Sequence, residues 1–178
     1  MLRILKNFAP QIDAGMTFVF LEPSCASVFR DELMNFFPND ERARRLREQS
    51  LLLSEFLVRH APHFEPAQHA GRRIVVQGHC HHKSLMKMTD EMALLQRTGA
   101  SVELLDSGCC GMAGPFGFER EKFAVSQAIG ERVLLPAVRA ASSETILVAD
   151  GFSCREQIVQ NSERRAVHSA EVIAGAVR

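Results

Sequence analysis

The sequence predicts an α/β fold, a parallel sheet layered with helices on both faces. Three observations carry that expectation. Short apolar runs rich in β-branched and aromatic residues recur along the chain, stretches with helical spacing separate them, and cysteines follow several of the runs.

The elements can be justified in chain order. Leu5–Ile12 is helix-like, and Thr17–Leu21 (TFVFL) is an apolar run of buried-strand type. Pro38-Asn39-Asp40 is a start signal for a helix predicted over Asp40–His60, where Leu46, Leu53, Phe56 and Leu57 recur at helical spacing. Arg73–Gln77 (RIVVQ) is the second strand. A helix over Ser84–Thr98 carries Met88, Met92 and Leu95 on one stripe and stops at Gly99. Ser101–Leu105 (SVELL) is a weaker strand, Phe118–Ala141 a long helical stretch, and Thr145–Ala149 (TILVA) the last strand, followed by a helix over Arg155–Asn161. All of these strands are expected in one parallel sheet.

Composition narrows the function classes. Among 178 residues, 46% hydrophobic, Lys+Arg and Asp+Glu are equal at 21 each, so no net field attracts nucleic acid or an anionic membrane. The arginines at 42, 44, 45 and 47 are flanked by Asp40, Glu41 and Glu48, as on a solvated helix face. No apolar run approaches the length of a membrane span, and the first residues lack the pattern of an export signal. Five cysteines, an odd number at irregular spacing, argue against a disulfide framework and for a reducing, cytoplasmic location, where the thiols are free or bind metal.

Cys80 follows RIVVQ, the pair Cys109–Cys110 follows SVELL, and Cys154 follows TILVA. The carboxyl ends of parallel strands line one edge of a sheet, so these four thiols are expected to converge. Adjacent side chains on a regular strand point to opposite faces. Two neighbouring cysteines therefore serve one site only if the chain bends, which Gly108 and Gly111 permit. A centre of several metal atoms suits adjacent thiolates, which can bind different atoms. The alternatives are buried small hydrophobes, a zinc site, or a vicinal Cys109–Cys110 disulfide. His79, His81 and His82 surround Cys80; as polar residues opening a helix they need no further role, and His81 is the best metal-ligand candidate among them. Glu22 and Asp150 suit capping or turns, since no partner carboxylate is evident, and His168 suits the start of the last helix. The glycines at 108, 111, 114 and 117 are spaced by three and match no phosphate loop.

A weak internal repeat relates FVFLEPSC (18–25) to LVADGFSC (147–154), each preceded by a helix-like stretch and followed by a helix. The first copy lacks the GHC and GCCG segments. The chain thus reads as the tail of a first repeat (1–37), a helical connector (38–70) and a complete repeat (71–178), a piece of a longer protein.

Four segments carry a family resemblance: EPSC…FRDEL (22–33), GHCHHKSL (78–85), DSGCCGMAGPFGFE (106–119) and ADGFSC (149–154). Over nearly the whole chain they resemble the cysteine-rich CCG domain. That family includes the cysteine-rich component of heterodisulfide reductase, the iron–sulfur subunits of glycolate oxidase and anaerobic glycerol-3-phosphate dehydrogenase, and the carboxyl-terminal region of FAD-linked D-lactate or D-2-hydroxyacid dehydrogenases. The resemblance implies tandem repeats and an iron–sulfur cluster, [4Fe-4S] or non-cubane, held by Cys80, Cys109, Cys110 and Cys154. The family pattern ends in CxxC, and its first position here is Gly151; Cys25 is a candidate for a further ligand. The implied role is electron transfer within an FAD-linked 2-hydroxyacid oxidoreductase. FAD lies on a partner or a missing domain, since no flavin signature is visible in this chain, which is not expected to oxidise substrate alone. Implied partners are a flavoprotein and a quinone or other acceptor, with a location in the cytoplasm or peripherally at the inner face of the membrane. A zinc-stabilised interaction domain and a thiol or heterodisulfide reductase module are the alternative readings.

Overall fold

The computed structural model describes residues 1–177, which form two compact units, Met1–Pro62 and His63–Arg178. Each unit is an α/β assembly with its own parallel sheet flanked by helices.

In the first unit α1 (Leu2–Asn7) and α2 (Ala9–Asp13) precede β1 (Phe18–Phe20). Glu22 caps α3 (Pro23–Ser27), accepting hydrogen bonds from the Ser24 amide (3.3 Å) and hydroxyl (2.7 Å), so the capping role expected of it holds. A π-helical turn, Val28–Glu32, leads into α4 (Leu33–Phe36). Asp40 caps α5 (Glu41–Gln49) through the Ala43 amide at 3.0 Å. The helix expected over Asp40–His60 is interrupted here. Ser50–Leu52 extends as β2 and pairs in parallel with β1, Phe18 opposite Ser50 and Phe20 opposite Leu52, before α6 (Leu53–His60) begins. The Ser50 hydroxyl bonds back to the Leu46 carbonyl at 2.6 Å, one way a helix is brought to an end. Glu55 then accepts from the Leu52 amide at 2.8 Å and starts the next helix. Leu5, Ile12, Leu33, Ala43 and Leu46 fill this unit's core. The buried Glu55 carboxylate is paired with Arg30 (2.5 Å) and Arg59 (3.1 Å), which offsets the cost of burying its charge.

The second unit holds β3 (Arg73–Val76), α7 (Thr89–Gln96), β4 (Ser101–Leu104), α8 (Phe123–Gly130), α9 (Leu134–Ala140), β5 (Ile146–Val148), α10 (Phe152–Asn161) and α11 (Ser169–Ile173). Its sheet runs β4-β3-β5, all parallel, with Ile74 opposite both Val102 and Ile146. The single sheet expected from the apolar runs is therefore two, because TFVFL pairs with a strand hidden inside a helical pattern. The expected Phe118–Ala141 helix is also broken. Its start is 3-10 turns at Phe116–Phe118 and Arg120–Lys122, and it divides again after Gly130. Pro136 lacks an amide hydrogen and its ring would clash with the Arg132 carbonyl in an unbroken helix, so α9 begins afresh at Leu134. In the Ser84–Thr98 stretch, a π-helical turn at His82–Met86 comes first and the helix starts only at Thr89, ending before Gly99 as expected.

Val75, Leu105, Met112, Leu134, Val138, Leu147 and Ile158 form the core of this unit, and Cys110 and Cys154 belong to it. Among the described residues no helix is long and apolar enough to cross a membrane.

Ile74 is fully buried in the central strand. Ile74→Ala is expected to destabilise the second unit by about 2–5 kcal/mol in urea unfolding; a loss below about 1 kcal/mol would contradict its core position.

Candidate functional site

Three strand ends build the site. The chain leaving β3 passes through Gln77, Gly78 and His79 to Cys80; that leaving β4 turns at Cys109 and Cys110; that leaving β5 reaches Cys154 in the first turn of α10. Two of these ends are tied together. Lys83 donates to the Ser107 carbonyl, with the Ser107 hydroxyl at 3.4 Å and the Gly108 carbonyl at 3.5 Å, and Ser107 donates to Gln77 at 2.6 Å. The bend at the cysteine pair depends on Gly111. Its φ is +102°, and a β-carbon there would lie 2.2 Å from the Ser126 carbonyl oxygen. Its amide also donates to the Cys109 sulfur at 3.3 Å. Gly108, expected to share this role, has an ordinary φ and open space around it.

All five cysteines are free thiols. The four of the second unit lie in series, Cys80 beside Cys109, Cys109 beside Cys110 and Cys110 beside Cys154, close enough for each to shift the ionisation of the next. Cys110 and Cys154 are buried, while Cys80 and Cys109 are partly exposed. Hydrogen bonds from Cys110 and Cys80 hold Cys109 far below the ordinary thiol range against the opposing effect of burial, helped by the Gly111 amide and by His79. Cys80 is pushed up, first by its bond to Cys109 and then by burial. Cys110 is pushed up by its bonds to Cys109 and Cys154 and by burial. The opposite directions of these shifts favour negative charge on Cys109 over Cys80 and Cys110. Four thiolates this close repel one another, so full ionisation requires a cation among them. Among the described residues, no group of three or more His, Cys, Asp or Glu side chains is disposed to hold a metal ion. The metal-free site is therefore a compact thiol network and not a ready-made coordination shell. A cavity of about 70 Å³ opens beside Cys109 between Asp106, Gly108, Ile129 and Arg132. It has room for water but not for a flavin or nucleotide, whose pockets run to several hundred Å³.

The histidines divide. His81, the ligand candidate read from the sequence, is half-buried and packs edge-on against His79, ring centres 5.2 Å apart. His79 itself is 6% exposed and lies against Gly151: a β-carbon at 151 would be 2.3 Å from its Cδ2 and 3.3 Å from the Cys154 sulfur. His82 is buried with Nδ1 3.4 Å from Glu91. Glu91 faces Asp150, and burial first, then the charge of Asp150 and a hydrogen bond with it, push its pKa well above its ordinary value. Asp150 does have a partner carboxylate, which spacing alone did not reveal because Glu91 sits on α7, on the far side of β4 in sequence. Asp150 does not cap α10; it accepts from the Ser169 amide and hydroxyl, both at 2.8 Å, at the start of α11. His168 opens α11 as expected, accepting from the Ala170 amide at 2.9 Å. Cys25 lies in the first unit, exposed in the first turn of α3.

The chain is similar to three curated proteins. The first is a subunit of the anaerobic glycerol-3-phosphate dehydrogenase of Escherichia coli, 26% identical over 166 residues that cover 92% of this chain and 41% of that one. The chain is also 28% identical over 163 residues to D-2-hydroxyglutarate dehydrogenase of Pseudomonas putida (90% and 15%), and 30% identical over 147 residues to that of Escherichia coli (81% and 14%). It thus spans under half of the length of these relatives. No family model matches the chain.

Gly111→Ala is expected to cost about 1–3 kcal/mol from backbone strain alone, with the collision at Ser126 adding to it. Gly108→Ala should stay within about 0.5 kcal/mol of native in the same denaturant titration. Equal effects of the two would contradict the geometry of the turn.

Proposed function

We propose that Cys80, Cys109, Cys110 and Cys154 hold an iron–sulfur cluster, and that the chain is the electron-transfer part of a flavin-linked dehydrogenase. The observation that carries this reading is that four thiols drawn from three strand ends lie in series near enough to shift one another's ionisation. A donor set of four sulfurs fits iron or zinc and suits no hard cation. Adjacent cysteines suit a polynuclear cluster, because each iron of a cluster takes only one protein thiolate and completes its shell with sulfide.

When bound, such a cluster supplies reversible one-electron transfer. The protein's own groups do the rest. Lys83 and Ser107 fix two of the strand ends relative to each other. The Gly111 amide donates to one sulfur and favours its anionic form. Met112, Leu134 and Val138 keep water from the buried sulfurs. Similarity to a dehydrogenase subunit and to D-2-hydroxyglutarate dehydrogenases supports an oxidoreductase role, with a 2-hydroxy acid or glycerol phosphate as the kind of substrate oxidised elsewhere in the whole protein. The small cavity beside Cys109 agrees with that division, since electrons can enter where an organic substrate cannot. A flavoprotein domain or subunit is the donor in this reading, and a quinone or other carrier the acceptor. Cys25 is a further ligand only if its replacement releases metal.

Protein prepared without oxygen is expected to contain iron and matching sulfide, with broad visible absorbance that a reduced flavoprotein bleaches. Cys109→Ser and Cys110→Ser should each lose most of the iron yet keep native circular dichroism, whereas Cys25→Ser should keep it. Colourless protein with stoichiometric zinc, or full iron retention in both pair variants, would overturn the reading.

A further inference from the structure

We infer that Gln157 is a positioning residue, whose side-chain amide is wedged between α10, α8 and the cysteine turn and sets the spacing of Cys110 from Cys154. The inference rests on the cluster reading above and deepens it by a residue outside the four thiols.

α10 carries both Cys154 and Gln157, and residues three apart lie on one side of a helix. Gln157 is fully buried. An amide in such a place costs free energy unless it is hydrogen-bonded, so its partners show what holds it there. Nε2 donates to the Ser126 carbonyl of α8 at 3.2 Å. At the other end of the amide, Asn161 Nδ2 is 3.4 Å from the Gln157 Oε1 and donates to the Gln157 backbone carbonyl at 2.9 Å.

Two glycines make room for this amide. The β-carbon position of Gly111, in the cysteine turn, is 2.2 Å from the Ser126 carbonyl oxygen and 3.1 Å from Gln157 Nε2. The β-carbon position of Gly130, at the end of α8, is 2.6 Å from the same Nε2 and 3.2 Å from the Cys110 carbonyl oxygen. The backbone of the turn, the end of α8 and the amide from α10 therefore meet around one nitrogen atom. Gly130 has no positive φ, so its backbone conformation does not call for glycine. The space taken by Gln157 and Cys110 does.

Groups behind the metal ligands hold those ligands in place, and losing such a group weakens metal binding without removing a ligand. Gln157 acts in this way on two ligands together, since it shares a helix with Cys154 and packs against the turn that presents Cys110.

Release of iron to excess chelator from anaerobically prepared protein tests this. Gln157→Met keeps the length of the side chain and removes the donor; it is expected to speed release by about tenfold or more. Gly130→Ala should do the same, although helix propensity alone favours alanine there. Ile74→Ala, a core variant in the central strand of the same unit, should release iron more slowly than Gln157→Met even where its urea midpoint is lower. The wedge is read without iron from side-chain amide exchange by NMR. In metal-free native protein the Gln157 amide should exchange far more slowly than that of the exposed Gln96, and Gly130→Ala should abolish the difference. Smaller acceleration in either site variant, equal or faster release from Ile74→Ala, or rapid exchange at Gln157 in the native protein would each overturn the inference. Native protein that binds no iron would overturn the cluster reading instead, and amide exchange in that same protein would then decide the wedge alone.

Discussion

Four thiols gathered in series cannot all be anions unless positive charge lies among them. Much of the second unit follows from that constraint. Without metal, Cys109 is the thiol most readily ionised, while Cys80 and Cys110 are pushed toward the protonated form. The arrangement stores protons that metal would displace, so metal affinity is coupled to proton release. It also explains why two adjacent cysteines stand in a glycine turn. The bend at Gly111 brings both side chains to one site, and the Ser126 carbonyl occupies the space where any β-carbon would go.

The supports around the sulfurs are backbone and buried polar groups rather than flexible surface charges. Lys83 crosses from the β3 end to the β4 end, and the Gln77–Ser107 hydrogen bond runs beside it. Behind the site lies a second layer of buried polar groups, in which His82 approaches Glu91 at 3.4 Å, Glu91 faces Asp150, and Asp150 accepts from the Ser169 amide and hydroxyl. Glu91 is pushed well above its ordinary value by burial and by Asp150, and two donors hold Asp150, which eases the burial of two neighbouring carboxyl groups. The layer links α7, the β5 end and α11, and so fixes the loop that presents Gly151 and Cys154.

Much of this was legible in the sequence, and the failures have physical causes. RIVVQ, SVELL and TILVA announce themselves as strands because fully buried parallel strands need continuous apolar runs. With cysteines just past each run, convergence at one edge followed. Ser50–Leu52 stayed hidden because its leucines also fit the helical stripe around it, and only pairing with β1 selects the extended form. Pro136 did carry a visible signal for the division of the long helical stretch. That His79 is the ring lying against Gly151 was not legible, because neighbours in GHCHH look alike in sequence. What distinguishes it is the absent side chain of Gly151, 72 positions away. The departure of Gly151 from the CxxC pattern was readable, but the identity of the group filling that space required coordinates. The Glu91–Asp150 pair was invisible for the same reason.

The central claim is that four thiols from three strand ends act as one ligand set for a polynuclear centre. X-ray absorption at the iron edge of anaerobically prepared protein addresses it most directly. The account predicts an all-sulfur first shell together with scattering from neighbouring iron. Isolated iron without an iron neighbour, or a shell dominated by nitrogen and oxygen, would contradict it.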